Sequence, residues 1–99
     1  MISLGNVFSA CGAEIANGGY KSIQPASGYE AAIHNIYYED DIELEWYDGI
    51  NVIGFDSVTG KGVYPCYGSH VTNLIYIRVK NVGGEAHSIG YDGVYTRIA

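Results

Sequence analysis

Six carboxylates crowd one short stretch, Glu39, Asp40, Asp41, Glu43, Glu45 and Asp48, and such a run could hold a divalent cation through oxygen. A calcium loop, however, needs oxygen ligands at alternate positions, a central Gly and a closing Glu, and that spacing is missing. Glu43 and Glu45 alternate with Ile42, Leu44 and Trp46, so they read as the wet face of a strand, with Glu39-Asp40-Asp41 as the turn before it. Charges placed there also discourage edge-to-edge aggregation. His34, His70 and His87 together with Cys66 raise the question of zinc. Cys66 and His70 form one close pair, but a structural zinc site takes two, and no second pair exists. His34, flanked by Ile33 and Asn35, reads as a hydrogen-bonded strand histidine. Val58-Thr59-Gly60-Lys61-Gly62 lacks the first Gly and the final Ser or Thr of a phosphate loop and reads as a hairpin loop. No G-x-S-x-G nucleophile motif occurs. The expectation is a protein that is not an enzyme, with no catalytic, metal or cofactor residues.

The aromatic residues allow a different chemistry. Ten tyrosines stand against two phenylalanines. Tyrosine couples an apolar ring to a hydroxyl that wants a partner, which suits half-buried sheet faces and interfaces. Tyr37, Tyr47 and Tyr76 are candidates for contacts on an outer strand face, either as packing residues or as a stacking platform for sugars. Trp46, in phase with Ile42 and Leu44, is expected in the core.

The elements that would position these residues are strands. Ile42, Leu44 and Trp46 alternate with polar neighbours, and Ile75, Ile77 and Val79 alternate with Tyr76, Arg78 and Lys80. Ala32 to Glu39, Asn51 to Asp56, Val63 to Val71 and His87 to Ile98 read as further strands with less regular patterns. Asp48-Gly49 and Asp92-Gly93 are expected to be tight hairpin turns. Gly60-Lys61-Gly62, Gly83-Gly84 and the stretch from Pro25 to Gly28 mark other loops. Turns spaced in this way fit an all-β single antiparallel β-sandwich, jelly-roll-like, over residues 21–99.

Residues 1–20 differ, being rich in Gly, Ala, Ser and Asn with scattered Val7, Phe8 and Ile15. They read as an extended N-terminal arm whose apolar residues pack on a neighbouring subunit. Removing residues 2–18 is then expected to abolish docking and leave the β domain folded.

With 99 residues, 47% of them apolar and 16% charged, the chain has material for one modest core and is not a disordered tail. A net charge of −6, with five scattered basic residues, argues against nucleic acid as a partner. No apolar run reaches the ~18 residues that would mark a membrane span, and no signal peptide is evident. Synthesis in the cytoplasm is expected. Cys11 and Cys66 are too few for a disulfide framework and are read as buried thiols.

Three stretches then become informative together: Ile23-Gln24-Pro25-Ala26-Ser27-Gly28-Tyr29-Glu30-Ala31-Ala32-Ile33-His34-Asn35-Ile36, Ile75-Tyr76-Ile77-Arg78-Val79-Lys80-Asn81 and Ile89-Gly90-Tyr91-Asp92-Gly93-Val94. Over roughly residues 22–96 the chain resembles small bacteriophage virion proteins of the capsid decoration or cement type. That resemblance implies a jelly-roll or related β-sandwich, usually a homotrimer, on the outer surface of the virion. Its implied partner is the major capsid protein of a phage shell. The alternative is a glycan- or receptor-binding β-sandwich module of a phage tail or fibre.

Overall fold

A computed structural model of the chain describes residues 2–12 and 14–98. Eight strands run in chain order: β1 (Glu14–Ile15), β2 (Tyr20–Ile23), β3 (Glu30–Tyr38), β4 (Ile42–Tyr47), β5 (Val52–Val58), β6 (Gly62–Thr72), β7 (Tyr76–Asn81) and β8 (His87–Arg97). They form two antiparallel four-stranded sheets, ordered β1-β8-β3-β6 and β2-β7-β4-β5, which pack face to face as a β-sandwich. The alternating apolar residues build the interior. Ile33, Ile36, Val71 and Ile89 from one sheet meet Ile23, Ile42, Leu44, Ile77 and Val79 from the other, all fully or almost fully buried. This is the arrangement that period-two patterning demands, with one face of each sheet buried and the other wet.

Asp92-Gly93 is not a turn. Both residues lie inside β8, where β3 carries a bulge: register passes from Ile33↔Gly93 to Asn35↔Asp92 and leaves His34 without a partner in β8. The Asp92 carboxylate accepts hydrogen bonds from the Asn35 backbone N–H (3.0 Å), the Asn35 carboxamide (3.2 Å) and the Tyr37 hydroxyl (2.8 Å). A side chain that suits a turn here mends a strand irregularity instead. His34 lies in strand β3, as expected, and is exposed at this bulge.

The N-terminal segment is not a free arm. Gly5, Phe8 and Ala10 donate backbone N–H bonds to Tyr95, Gly93 and Tyr91, and Tyr91 and Tyr95 donate back to Ala10 and Asn6. The segment thus continues the edge begun by β1 along the whole of β8. Phe8 is buried in the domain's own core, 5.1 Å from the Tyr91 ring and 5.2 Å from the Tyr95 ring. The accessible surface of 5503 Å² matches the roughly 5500 Å² of a folded monomer of this mass, leaving no room for an outstretched limb. Removing residues 2–18 would therefore strip a strand and a core aromatic from the fold. Phe8→Ala is expected to cost about 3 kcal/mol, read from the shift in the urea midpoint.

One end of the sandwich is tied together by Asn81, which is fully buried. Its carboxamide donates to the carbonyls of Ile15 (2.8 Å) and Glu85 (2.7 Å) and accepts from the Gly83 N–H (2.9 Å). Its backbone bonds Gly18 and Gly19, so the β1–β2 loop, β7 and the β7–β8 loop share one residue. At the same end, Asp41 accepts from the Gly60 N–H and Glu39 from the Ser88 N–H.

Candidate assembly surface

Strands β5 and β6 are the free edges of their sheets on the same side of the sandwich. Between them the sheets part, leaving a cleft of about 520 Å³ lined by Trp46, Ile53, Phe55, Ser69, His70 and Ile77. Trp46 and Ile53 are cross-strand partners, and both face inward with Leu44. Register then passes from Glu45↔Gly54 to Leu44↔Asp56, so Phe55 has no partner in β4. Phe55, two residues on from Ile53, lies beside it on the cleft wall. Ile53 is 61% exposed and Phe55 44%, because β6 does not close over them. Trp46 is half-buried on this wall rather than fully in the core.

Both edges are nonetheless guarded against strand addition. The β5 edge carries its bulge and the Asp56 carboxylate. The β6 edge carries Pro65, which has no N–H, and a wider irregularity in which His34 faces Cys66, Tyr67 and Gly68. Tyr67 and Gly68 both have positive φ, 52° and 79°, and Tyr67 is 92% exposed. Bulges, Pro and charge are the devices that blunt a sheet edge. What remains open is an apolar surface of side chains, not a ladder of backbone groups.

Toward the Asn81 end the two edges are latched, because the Tyr64 hydroxyl donates to Asp56 (2.7 Å). This bond to the carboxylate, helped by burial, pushes the Tyr64 hydroxyl up to about 12, while the same bond holds Asp56 below its ordinary value. A raised tyrosine stabilises the fold fully below its unfolded value near 10 and loses that contribution as pH climbs toward 12. A depressed Asp56 contributes above its ordinary 3.8 and loses its contribution as pH falls below it. The gap in thermal midpoint between the parent and Tyr64→Phe is therefore expected to be constant near neutrality and to close between pH 10 and 12. A gap that persists at pH 12 would contradict the latch.

Two loops at the opposite end carry apolar residues at their tips. In the β4–β5 hairpin the Asp48 carboxylate accepts from the N–H groups of Ile50 (2.9 Å) and Asn51 (2.6 Å) and from the Asn51 carboxamide (3.1 Å). The Tyr47 hydroxyl donates to the Gly49 carbonyl (3.0 Å), and Gly49 takes the left-handed conformation the turn requires. The backbone bonds from Asn51 and Ile50 hold the Asp48 carboxyl below its usual range. So braced, the loop presents Ile50 at 88% exposure. In the β6–β7 turn the Thr72 hydroxyl oxygen accepts from Leu74 (3.1 Å) and Ile75 (3.0 Å), and Asn73 is tied to Gln24 and Pro25. Leu74 is 74% exposed there. The loops share one end because Tyr47 pairs with both Val52 and Tyr76.

The residues expected from sequence to make contacts do not converge. Val7 is exposed on the edge segment, Phe8 is core, and Ile15 is half-buried against the core. Tyr37 lies on the sheet opposite to Tyr47 and Tyr76, with its hydroxyl spent on Asp92. Tyr47 and Tyr76 do meet, edge to face, at 5.6 Å. The Tyr47 ring, however, is covered by the Arg78 guanidinium at 3.7 Å, which also lies 4.1 Å over Tyr20 and bonds Glu45 at 2.7 Å. A face stacked on the protein's own cation is not a free sugar platform. Cys66 is buried, and burial pushes its thiol up to about 11, whereas Cys11 is exposed rather than buried. Among the described residues no three of His, Cys, Asp and Glu gather around one point.

Ile50, Ile53, Phe55 and Leu74 were not singled out by sequence patterning. The available signal was an isoleucine at the apex of an Asp-Gly turn, followed by a strand, Val52–Val58, in which apolar residues fall on both faces. No known protein-family model matches this chain, and no curated protein matches it significantly.

Proposed function

We propose that this chain is a non-catalytic structural subunit of the capsid decoration or cement type, made in the cytoplasm and carried on the outer surface of a phage shell. In this reading it acts as a homo-oligomer, expected to be a trimer, and grips the major capsid protein by non-covalent contacts. The observation that carries the reading is the rigid, apolar surface of the β5 edge and the two braced tips, where loops held by several hydrogen bonds present Ile50 and Leu74 to solvent. Exposed apolar side chains held in place in this way mark an interaction site, and the guarded edges fit a surface meant for one partner rather than for aggregation. The jelly-roll form of the sandwich belongs to the same proposal. It is supported by the pairing of β1 with β8, β2 with β7, β3 with β6 and β4 with β5, the pattern of one long hairpin wound on itself. A subunit that binds only the closed lattice stabilises it by mass action, with no chemistry required. The test is mass spectrometry of phage particles purified from a culture carrying this coding sequence. The chain is expected in the particles at a copy number comparable to that of the shell protein. Particles that lack it overturn the reading.

A further inference from the structure

The two sheets leave four outer edges: β5, β6, β2, and the N-terminal segment that lies along β8 in line with β1. Three of them are blunted. β5 has its bulge and Asp56, β6 has Pro65 and the positive-φ pair Tyr67 and Gly68, and β2 is four residues long and carries Lys21. The N-terminal edge lacks these devices. Residues 2–12 contain no Asp, Glu, Lys, Arg or Pro, and no residue between Gly5 and Gly12 has a positive φ. Proteins blunt the edges they leave in water, so the one left open is an edge kept for pairing. We infer that this edge is a two-fold docking surface, on which residues 7–9 of one copy pair antiparallel with residues 7–9 of a second copy of this chain.

The backbone names the pairing groups. Phe8 and Ala10 turn their N–H groups to β8, so the alternate residues Val7 and Ser9, both exposed, turn their N–H and C=O groups away from it. Among the described residues nothing bonds these four groups. Cys11 does not extend the free ladder, because its carbonyl oxygen lies close over Gly90. Two donors and two acceptors at i and i+2 are self-complementary. With Val7 of one copy opposite Ser9 of the other, four hydrogen bonds form, no free group of the pair is left over, and the two-fold axis passes beside Phe8. The segment is ordered before the partner arrives, since Phe8 is anchored in the core against Tyr91 and Tyr95, and a preordered edge loses little entropy on docking.

Charge favours the same partner. Each copy has a net charge of −6, which opposes self-association through most of the surface. At an edge free of charged residues two such copies meet without setting like charges opposite one another. The inference goes beyond the proposed function and uses a different surface from the β5 edge and the loop tips. A two-fold contact here together with a three-fold contact elsewhere gives a hexamer; alone it gives a dimer.

Light scattering on size-exclusion eluate at micromolar concentration is expected to show the parent as a dimer or a hexamer. Ser9→Pro removes the outward N–H and none of the bonds to β8, so it is expected to keep the far-UV circular dichroism of the parent and to halve its mass. The two hydrogen bonds lost per pair weaken association by about thirtyfold, read from a dilution series. Ser9→Lys guards the same edge with charge, leaves the backbone intact, and is expected to halve the mass as well. Val7→Cys and Ser9→Cys, each made with Cys11→Ser, test the register. Facing residues of a hydrogen-bonded antiparallel pair lie about 5.5 Å apart at Cα, within disulfide reach, whereas like positions are offset by two residues and exceed the ~7 Å limit. Oxidised alone, each variant is expected to run as a single chain on a non-reducing gel, and the one-to-one mixture as a covalent dimer. A monomeric or odd-numbered parent, a parental mass for both Ser9 variants, or a mixture that does not cross-link would each overturn the inference. None of these outcomes bears on whether the chain is found in phage particles, so the two readings fail separately.

Discussion

Asn81→Leu is expected to lower the stability of the domain by about 3 kcal/mol, a large fraction of the 5–15 kcal/mol typical of a domain. Leucine keeps the branched outline, with bulkier methyl ends, and removes every polar contact of the side chain. The carbonyls of Ile15 and Glu85 and the N–H of Gly83 then lose their partner at a fully buried position. Each orphaned group costs about 1–3 kcal/mol, moderated where loop groups turn to water. Asn81→Asp is expected to be worse at neutral pH, because it sets a carboxylate against two carbonyl oxygens. Urea unfolding followed by tyrosine and tryptophan fluorescence measures both. Hydrogen exchange should show the loss spreading to β1 and the β7–β8 loop. A midpoint shift worth under ~0.5 kcal/mol would show that Asn81 is not the tie described.

Gly93→Ala is expected to be still more damaging, to the point of insoluble expression. A methyl group at position 93 would fall on the carbonyl oxygen of Ala32 and lie 3.0 Å from the Ile33 Cα, both backbone atoms of the central strand β3. No rotamer relieves that clash, so β8 must move away from β3 and break their shared ladder. The cost exceeds the ~1–3 kcal/mol of ordinary overpacking. Gly54→Ala is the matched control. It lies in β5 with nothing near its would-be Cβ and no positive φ, and it is expected to leave the midpoint within about 0.5 kcal/mol of the parent. Soluble yield and thermal midpoint of the pair decide the matter.

The strands were legible because burial of one face imposes a period of two, and Ile42, Leu44, Ile77 and Val79 all stand where that period puts them. Turn chemistry was legible at Asp48-Gly49, where the cause of the turn is local. It misled at Asp92-Gly93, where the same dipeptide answers a bulge 57 residues away, at Asn35. The N-terminal segment looked like an arm because it is rich in small residues. Gly12 among them is what lets it lie against β8: a methyl group there would fall on the Ile89 carbonyl oxygen. A low apolar content signals close backbone approach here, not freedom. The candidate assembly surface was the least legible part. Whether an isoleucine at a hairpin apex is buried by the rest of the chain or left in water depends on which loops share an end, and that is set by cross-strand register. The tyrosines misled for a similar reason, since Arg78 reaches Tyr20 and Tyr47 only across three strands.

The N-terminal edge segment also determines how the domain responds to tension. Gly5 bonds Tyr95 near one end of β8, and the antiparallel pairing proceeds from there to Ala10 and then to β1. A pull applied between residues 2 and 98 would load these bonds one after another, as in a zipper, rather than all together in shear. The domain is thus mechanically soft when tugged by its two extremities, whereas the interior ladders of β3 with β6 and β8 would bear load only after the edge has peeled away.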